Sequence, residues 1–291
     1  MLFRSVKIAG LIAGSVAVAT LVVNTTFAQD PSHMVSNAAA SVPAAKVHVV
    51  RVSGEDFKFD APDVIPAGLT DFRFLNKGPA LHHMSILKLE GGKTVDDLRA
   101  ALANPGPPPA WVKEVGGPNA GAPGVESNAT VRLEPGNYAL ICFIDLGGPP
   151  HFMKGMLRGL RVVPSTGPAV PKPTADVTVS LVDYNFKLSS PIRAGLRTIR
   201  VSNAGTQHHE VELVRLAPGV SAADFMKWIA KMEGPPPGKP LGGISGIEMG
   251  GSGYFTADFT PGNYALICFL PDTKDGKPHF AHGMVQQITV N

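Results

Sequence analysis

The nine residues PGNYALICF occur twice, at 135–143 and again at 261–269, and they contain the only two cysteines of the chain, Cys142 and Cys268. A segment duplicated within 291 residues implies two copies of one unit, each of which must fold within about half of the chain. The duplication is not confined to nine residues. Asn76-Lys77-Gly78-Pro79-Ala80-Leu81-His82 aligns without a gap on Asn203-Ala204-Gly205-Thr206-Gln207-His208-His209, and ILKL at 86–89 continues in register with LVRL at 213–216. Upstream, DFKFD (56–60) and PAGL (66–69) answer YNFKL (184–188) and RAGL (193–196), and downstream PHFMKGM (150–156) answers PHFAHGM (278–284). The expected units are residues 47–163 and 176–291. The proline-rich stretch PSTGPAVPKPTA at 164–175 is the linker between them.

Within each unit the pattern is one of short alternating runs, VHVVRV, DFRFLN, MSILKL, TVRLEP and NYALICF in the first, separated by Gly and Pro clusters. Period-two alternation on this scale predicts an all-β chain of two small antiparallel sandwiches. Each unit also carries one short helical insertion. Thr94 and Ser221 precede Asp97 and Asp224 by three residues, the spacing of a capping box. Leu98, Leu102, Phe225, Trp228 and Ile229 are the expected packing faces of these helices.

The N-terminus has Arg4 and Lys7, an apolar run from Ile8 to Val23 and the small-residue pattern Thr26-Phe27-Ala28, the layout of a secretory signal peptide spanning residues 1–28. Residues 29–46 form a polar, alanine-rich lead. Export places the protein in the periplasm or outside the cell, with no membrane segment after the signal is removed. The formal charge of +3 falls to +1 without Arg4 and Lys7. A near-neutral chain without Lys/Arg runs gives no electrostatic footprint for nucleic acid. Two cysteines in an oxidising compartment invite a disulfide. Equivalent positions of two units, however, lie in separate interiors, and a bridge needs Cα atoms within about 7 Å. Both thiols are therefore expected to be free.

Each cysteine keeps the same company. Cys142 is followed after eight residues by His151 and after four more by Met156; Cys268 is followed after ten by His279 and after four more by Met284. The aligned upstream histidines are His82 and His209. Two imidazoles, a thiolate and a thioether suit a copper ion that changes oxidation state, whereas structural zinc sites use Cys and His alone.

On these residues the chain resembles the cupredoxins, the plastocyanin and azurin family. G-x-Y-x-L-x-C followed by P-H, then G-M and an alternating strand such as VQQITV (285–290), is similar to that family's C-terminal copper loop, and N-x-G-x-x-x-H to its first-histidine loop. The resemblance implies two Greek-key β-sandwiches, each binding one type 1 copper ion, the first through His82, Cys142, His151 and Met156 and the second through His209, Cys268, His279 and Met284. It implies an exported electron carrier with two blue copper centres and redox-protein partners that donate and accept electrons. It also implies that the histidine after each cysteine lies near the surface. The Cys-to-His loops are longer than in plastocyanin, and the first is closer to the type 1 site of copper nitrite reductases. The position after the first histidine, often Asn in the small members, is His83 or Glu210, so the hydrogen bond that ties the site loops together must be made by other groups.

The alternatives are a periplasmic copper carrier or storage protein and an enzyme resembling nitrite reductase or a multicopper oxidase. Against the enzyme, Ile141 and Ile267 precede the cysteines where a second copper would be wired through histidine. There is also no H-x-H, and with four of the nine histidines assigned too few remain for a trinuclear cluster. The second loop is the more charged, with Asp272, Lys274, Asp275 and Lys277 against Asp145 alone in the first. His282, which aligns with Lys154, is expected to be a solvated loop residue.

Overall fold

The computed structural model describes residues 46–103, 106 and 108–291. The expected signal peptide and nearly all of the lead lie outside the described residues. The first half contains β1 (His48–Glu55), β2 (Lys58–Asp60), β3 (Val64–Pro66), β4 (Gly68–Asn76), β5 (Ser85–Leu89), α1 (Val95–Leu102), β6 (Val112–Glu114), β7 (Glu126–Leu133), β8 (Gly136–Ile141) and β9 (Leu157–Val163). The second contains β10 (Val177–Val182), β11 (Asn185–Leu188), β12 (Gly195–Asn203), β13 (His209–Leu216), α2 (Ala222–Ile229), β14 (Gly238–Ile247), β15 (Ser252–Phe259), β16 (Gly262–Ile267) and β17 (Val285–Val290). Residues 164–175 contain neither helix nor strand and are largely exposed.

The fold is all-β, and the halves are closely joined. One eight-stranded sheet, ordered β11-β10-β12-β15-β7-β4-β1-β2, runs through both. Its junction is the β7–β15 contact at Thr130 and Tyr254, where the Asn128 side chain donates to the Thr256 carbonyl and accepts from its N–H at 2.7 and 2.8 Å. Against this sheet the first half packs β3-β9-β8-β5-β6 and the second β14-β13-β16-β17. Alternation puts Phe72, Phe74, Ile86, Leu140 and Cys142 into the first core and Val201, Val211, Leu213, Leu266 and Cys268 into the second.

The pairing departs from the purely antiparallel expectation. β1 runs parallel to β4, β10 to β12, and β3 to β9. The connection from β1 to β4 crosses to the opposite sheet at β3 before returning, which gives the chain the crossover that a parallel pair requires.

Both helices begin as their sequences predict. The Thr94 and Ser221 side chains accept from the Asp97 and Asp224 N–H groups, and those aspartates accept in return from the cap backbone. Leu98 and Phe225 then cover the outer faces of the two smaller sheets. The tyrosine shared by the nine-residue repeats closes the turn before each strand. Tyr138 Oη donates to the Glu134 carbonyl at 2.8 Å, and Tyr264 Oη to that of Thr260 at 2.9 Å. Among the described residues no helix is long and apolar enough to cross a membrane.

Candidate metal centres

Each cysteine follows directly on a central strand, β8 or β16, so its sulfur is delivered to one end of a core by a rigid element. Both are free and fully buried. The backbone then returns the other donors to the same place. His151 opens a one-turn helix, His151–Lys154, and its N–H donates to the Ile144 carbonyl; His279 does the same in His279–His282 with Leu270. Gly155 and Gly283 end these turns at φ of 115° and 100°, left-handed values that admit glycine readily. The reversal sends Met156 and Met284 back into the cores, where their carbonyls accept from the Cys142 and Cys268 N–H groups. This is the physical reason for the G-M pair in each copy.

His82, Cys142 and His151 bring one donor atom each within 4.8 Å of one another, as do His209, Cys268 and His279. In the first cluster the two Nδ1 atoms lie 3.0 Å apart and Cys142 Sγ is 3.6 Å from His151 Nδ1. In the second the Nδ1 atoms are 3.1 Å apart, with Cys268 Sγ at 3.3 and 4.0 Å from those of His279 and His209. A tetrahedral ion with bonds of about 2.0–2.1 Å to nitrogen and about 2.3 Å to sulfur spaces its ligands by about 3.3 Å (N to N) and about 3.6 Å (N to S). The observed spacings fit such an ion. Met156 and Met284 are buried in the same apolar clusters as the cysteines.

Carboxylates orient the upstream histidines. Nε2 of His82 faces Asp56 Oδ1 at 2.5 Å, and Nε2 of His209 faces Asp183 Oδ1 at 2.8 Å. An Nε2–H held this way leaves Nδ1 as the lone pair turned into the cluster. The conserved N-x-G spacing between the copies makes room for the bond. A Cβ on Gly78 would sit 2.6 Å from Asp56 Oδ1 and 2.8 Å from His82 Nε2, and Gly205 is as crowded. These aspartates escaped the sequence reading because its register there was off by one. Asp56 pairs structurally with Asp183 and Phe57 with Tyr184, so DFKF answers DYNF at 183–186. The signal was available, since Gly78 and Gly205 already fixed that register.

The histidine doublets divide their work. His83 is buried away from the cluster, and its Nε2 accepts from Phe143 N–H at 2.8 Å. Glu210 Oε1 accepts the equivalent bond from Phe269 N–H at 3.0 Å. The tie between site loops is thus kept by an imidazole in one half and a carboxylate in the other. His208 instead pairs with Glu114 of the first half at 3.0 Å, a bond that raises its pKa.

Burial sets the protonation states. It pushes the Cys142 thiol up to about 11 and raises that of Cys268 further, with the Glu210 charge adding to it. It also lowers His151 and His279 to about 4, keeping both imidazoles neutral. A thiol so raised becomes a thiolate at neutral pH only when a metal replaces its proton.

One expectation is sharpened and one corrected. His151 and His279 are not themselves open to solvent, at 2% and 0% exposed, but each lies beneath a single, partly exposed ring. Phe57 covers His151 at 4.8 Å between ring centroids, and Tyr184 covers His279 at 5.7 Å. Nor is Asp272 an outward charge. Its carboxylate is buried and accepts from Tyr184 Oη, Gln207 Nε2 and the Lys274 N–H, bonds that hold its pKa low. His282, paired with Asp275 at 3.2 Å, is exposed at the rim as expected, but it ends the one-turn helix and does not lie in a loop.

No protein-family profile and no curated protein matches the chain. Solved structures do. A reduced auracyanin of the photosynthetic bacterium Roseiflexus castenholzii is 24% identical, with 42% of this chain and 99% of the auracyanin covered and a TM-score of 0.27. Auracyanin A, a blue copper protein of Chloroflexus aurantiacus, is 20% identical over 40% of this chain and all of its own, with a TM-score of 0.29. The blue copper oxidase of Nitrosomonas europaea is 15% identical over 84% of this chain and 86% of its own, with a TM-score of 0.25. At such TM-scores the overall likeness decides little, and the functional reading rests on the donors of this chain.

Proposed function

We propose that the protein is an exported electron carrier holding one copper ion in each half. The first ion would be bound by His82, Cys142, His151 and Met156, and the second by His209, Cys268, His279 and Met284. The observation that carries this reading is the recurrence of a buried His/His/Cys cluster with a buried methionine beside it. Copper in such a site supplies one-electron exchange between Cu(I) and Cu(II).

The residues of the chain do the rest. Asp56 and Asp183 fix the ring orientation and tautomer of the upstream histidines. The His83 and Ile144 N–H groups face the Cys142 sulfur, and those of Glu210 and Leu270 face that of Cys268, so each thiolate would be met by backbone donors as it forms. Donors set at strand ends and on one-turn helices, and enclosed by packed cores, have little room to rearrange, which suits a carrier better than the open, exchangeable site of a storage protein. Isoleucines 141 and 267 leave each cysteine without the adjacent histidine through which an enzyme would pass electrons to a second copper. Copper content and the visible spectrum of the mature protein test the reading. About two copper ions and an intense thiolate-to-Cu(II) band are expected; zinc alone, or no metal after reconstitution with copper, would overturn it.

A further inference from the structure

The irregular segment 115–122 of the first half lies between the two centres and touches the surroundings of both. On one side the Gly121 N–H donates to the His82 carbonyl at 3.3 Å and the Pro118 carbonyl accepts from Met84 N–H at 3.0 Å. On the other, the Asn119 N–H donates to the Gly243 carbonyl at 3.2 Å, and the Ala120 N–H to Glu212 Oε2 at 2.9 Å. At its middle sits the side chain of Asn119, buried, with Nδ2 3.2 Å from Glu210 Oε2, 3.2 Å from the Val211 carbonyl and 3.4 Å from that of Ile244.

His83 and Glu210 are the two residues that fasten the loop after each cysteine, through Phe143 N–H and Phe269 N–H. The segment therefore joins the two fastenings across the boundary between the halves, through its backbone bonds to the residues on either side of His83 and through the Asn119 amide at Glu210. The path runs from Phe143 N–H through His83 to the backbone of 82–84, across to the backbone of 118–121, and through Asn119 and Glu210 to Phe269 N–H, and each terminal residue is covalently next to a candidate thiolate ligand.

We propose that Asn119 couples the two centres, so that metal binding in one half orders the other half's cysteine loop and tightens its site. The inference rests on the copper reading above. Filling the first site fixes the loop that carries His82, and with it His83. Asn119 then has one favoured position, and Glu210 is held in the orientation that fastens Phe269. The ordering cost of the second site is reduced in advance, and by linkage the reverse order gives the same gain. Asn119 acts here as a positioning residue and touches neither metal site directly.

The experiment uses the full mature chain with Cys268→Ser, in which only the first site can take up metal. Anaerobic Cu(I) is added, and amide hydrogen exchange is followed at Phe143 and at Phe269. Exchange should slow at both, at Phe269 by about fivefold or more, the lower end of ordinary coupling between sites. Adding Asn119→Ala should abolish the response at Phe269 and leave that at Phe143, a separation that mere destabilisation would not produce. A response at Phe143 with none at Phe269 in the Cys268→Ser protein overturns the coupling and leaves the copper reading standing. No response at either amide overturns the copper reading and the coupling with it. If the Asn119 variant does not fold, the Cys268→Ser protein alone still decides between these outcomes.

Discussion

The two centres share their donors and differ in what surrounds them. Around the first, a buried imidazole (His83) fastens the cysteine loop and a phenyl ring (Phe57) covers His151. Around the second, the same places hold a carboxylate (Glu210) and a phenol (Tyr184), and the phenol is tied to the buried Asp272. The longer second loop supplies that aspartate; the first loop, two residues shorter, has only Asp145. Duplication has thus kept the buried His/His/Cys arrangement while the charge beside the sulfur diverged. Burial raises the pKa of both thiols, and the Glu210 charge contributes to the larger rise at Cys268. Negative charge at that position favours Cu(II) over Cu(I), so the second centre should have the lower reduction potential.

The largest expected effect is loss of one centre at a time. Cys142→Ser and Cys268→Ser should each remove one copper ion and about half of the thiolate-to-Cu(II) absorption, because a hydroxyl does not replace the thiolate. The surviving centre should bind more weakly, not vanish. The double variant should stay folded and colourless. Loss of both bands from one substitution would mean that the halves are not separable sites at all.

Next in size are the axial positions. Met156→Gln and Met284→Gln should keep copper bound and lower the potential of the altered centre, since an oxygen donor stabilises Cu(II) better than a thioether does. Redox titration of each single variant reads this directly, and unchanged potentials in both would reduce the methionines to packing residues.

A smaller shift should come from exchanging the loop-fastening residues. A unit charge about 6 Å away at an effective dielectric of about 20 is worth about 3 kcal/mol, or on the order of 100 mV for one electron. Burial raises Glu210 to about 7, so near neutral pH it carries part of that charge and the shift should be correspondingly less. Glu210→Gln should raise the potential of the second centre, and His83→Glu should lower that of the first. If the two variants move neither potential, the difference between the surroundings has no bearing on redox behaviour.

Much of this was legible in the sequence because duplication acts as an internal alignment. It exposed the eight candidate donors, both capping boxes and the alternation of the strands. It also favoured His82 over His83 and His209 over His208, the members that the structure places with the cysteines. What it missed depends on contacts between segments remote in sequence. The parallel β1–β4 and β10–β12 pairings depend on how a connection crosses the sandwich, which no local pattern encodes. Asp56 and Asp183 align in the register that Gly78 and Gly205 set, but nothing local shows that they hold histidines 26 residues away. The shared sheet was invisible for the same reason. Thr130 and Tyr254 carry nothing in their own neighbourhoods to mark them as partners.

The smallest effect concerns how the two centres meet their redox partners. The rim of the first is the more apolar, with Leu146 46% and Met153 62% exposed beside the glycines and prolines at 147–150, and it carries two charges, Asp145 and Lys154, the latter 4.6 Å over the Phe57 ring. The rim of the second carries Lys274, Asp275 and Lys277, while Asp272 is turned inward and drops out of the surface charge. Asp275 is further engaged by Lys277 at 3.4 Å and His282 at 3.2 Å, which shortens the reach of its field. Charges on a docking face steer a charged partner and are screened over about 8 Å at physiological ionic strength, whereas apolar contact is nearly indifferent to salt. Electron exchange through the second centre should therefore fall more steeply with ionic strength, though by less than four outward charges would give. Transfer rates measured with one charged redox protein, in the Cys142→Ser and Cys268→Ser proteins across a salt series, compare the two rims directly. Equal slopes would show that both centres exchange electrons through the same kind of surface, and the divergence between the halves would then be confined to their interiors.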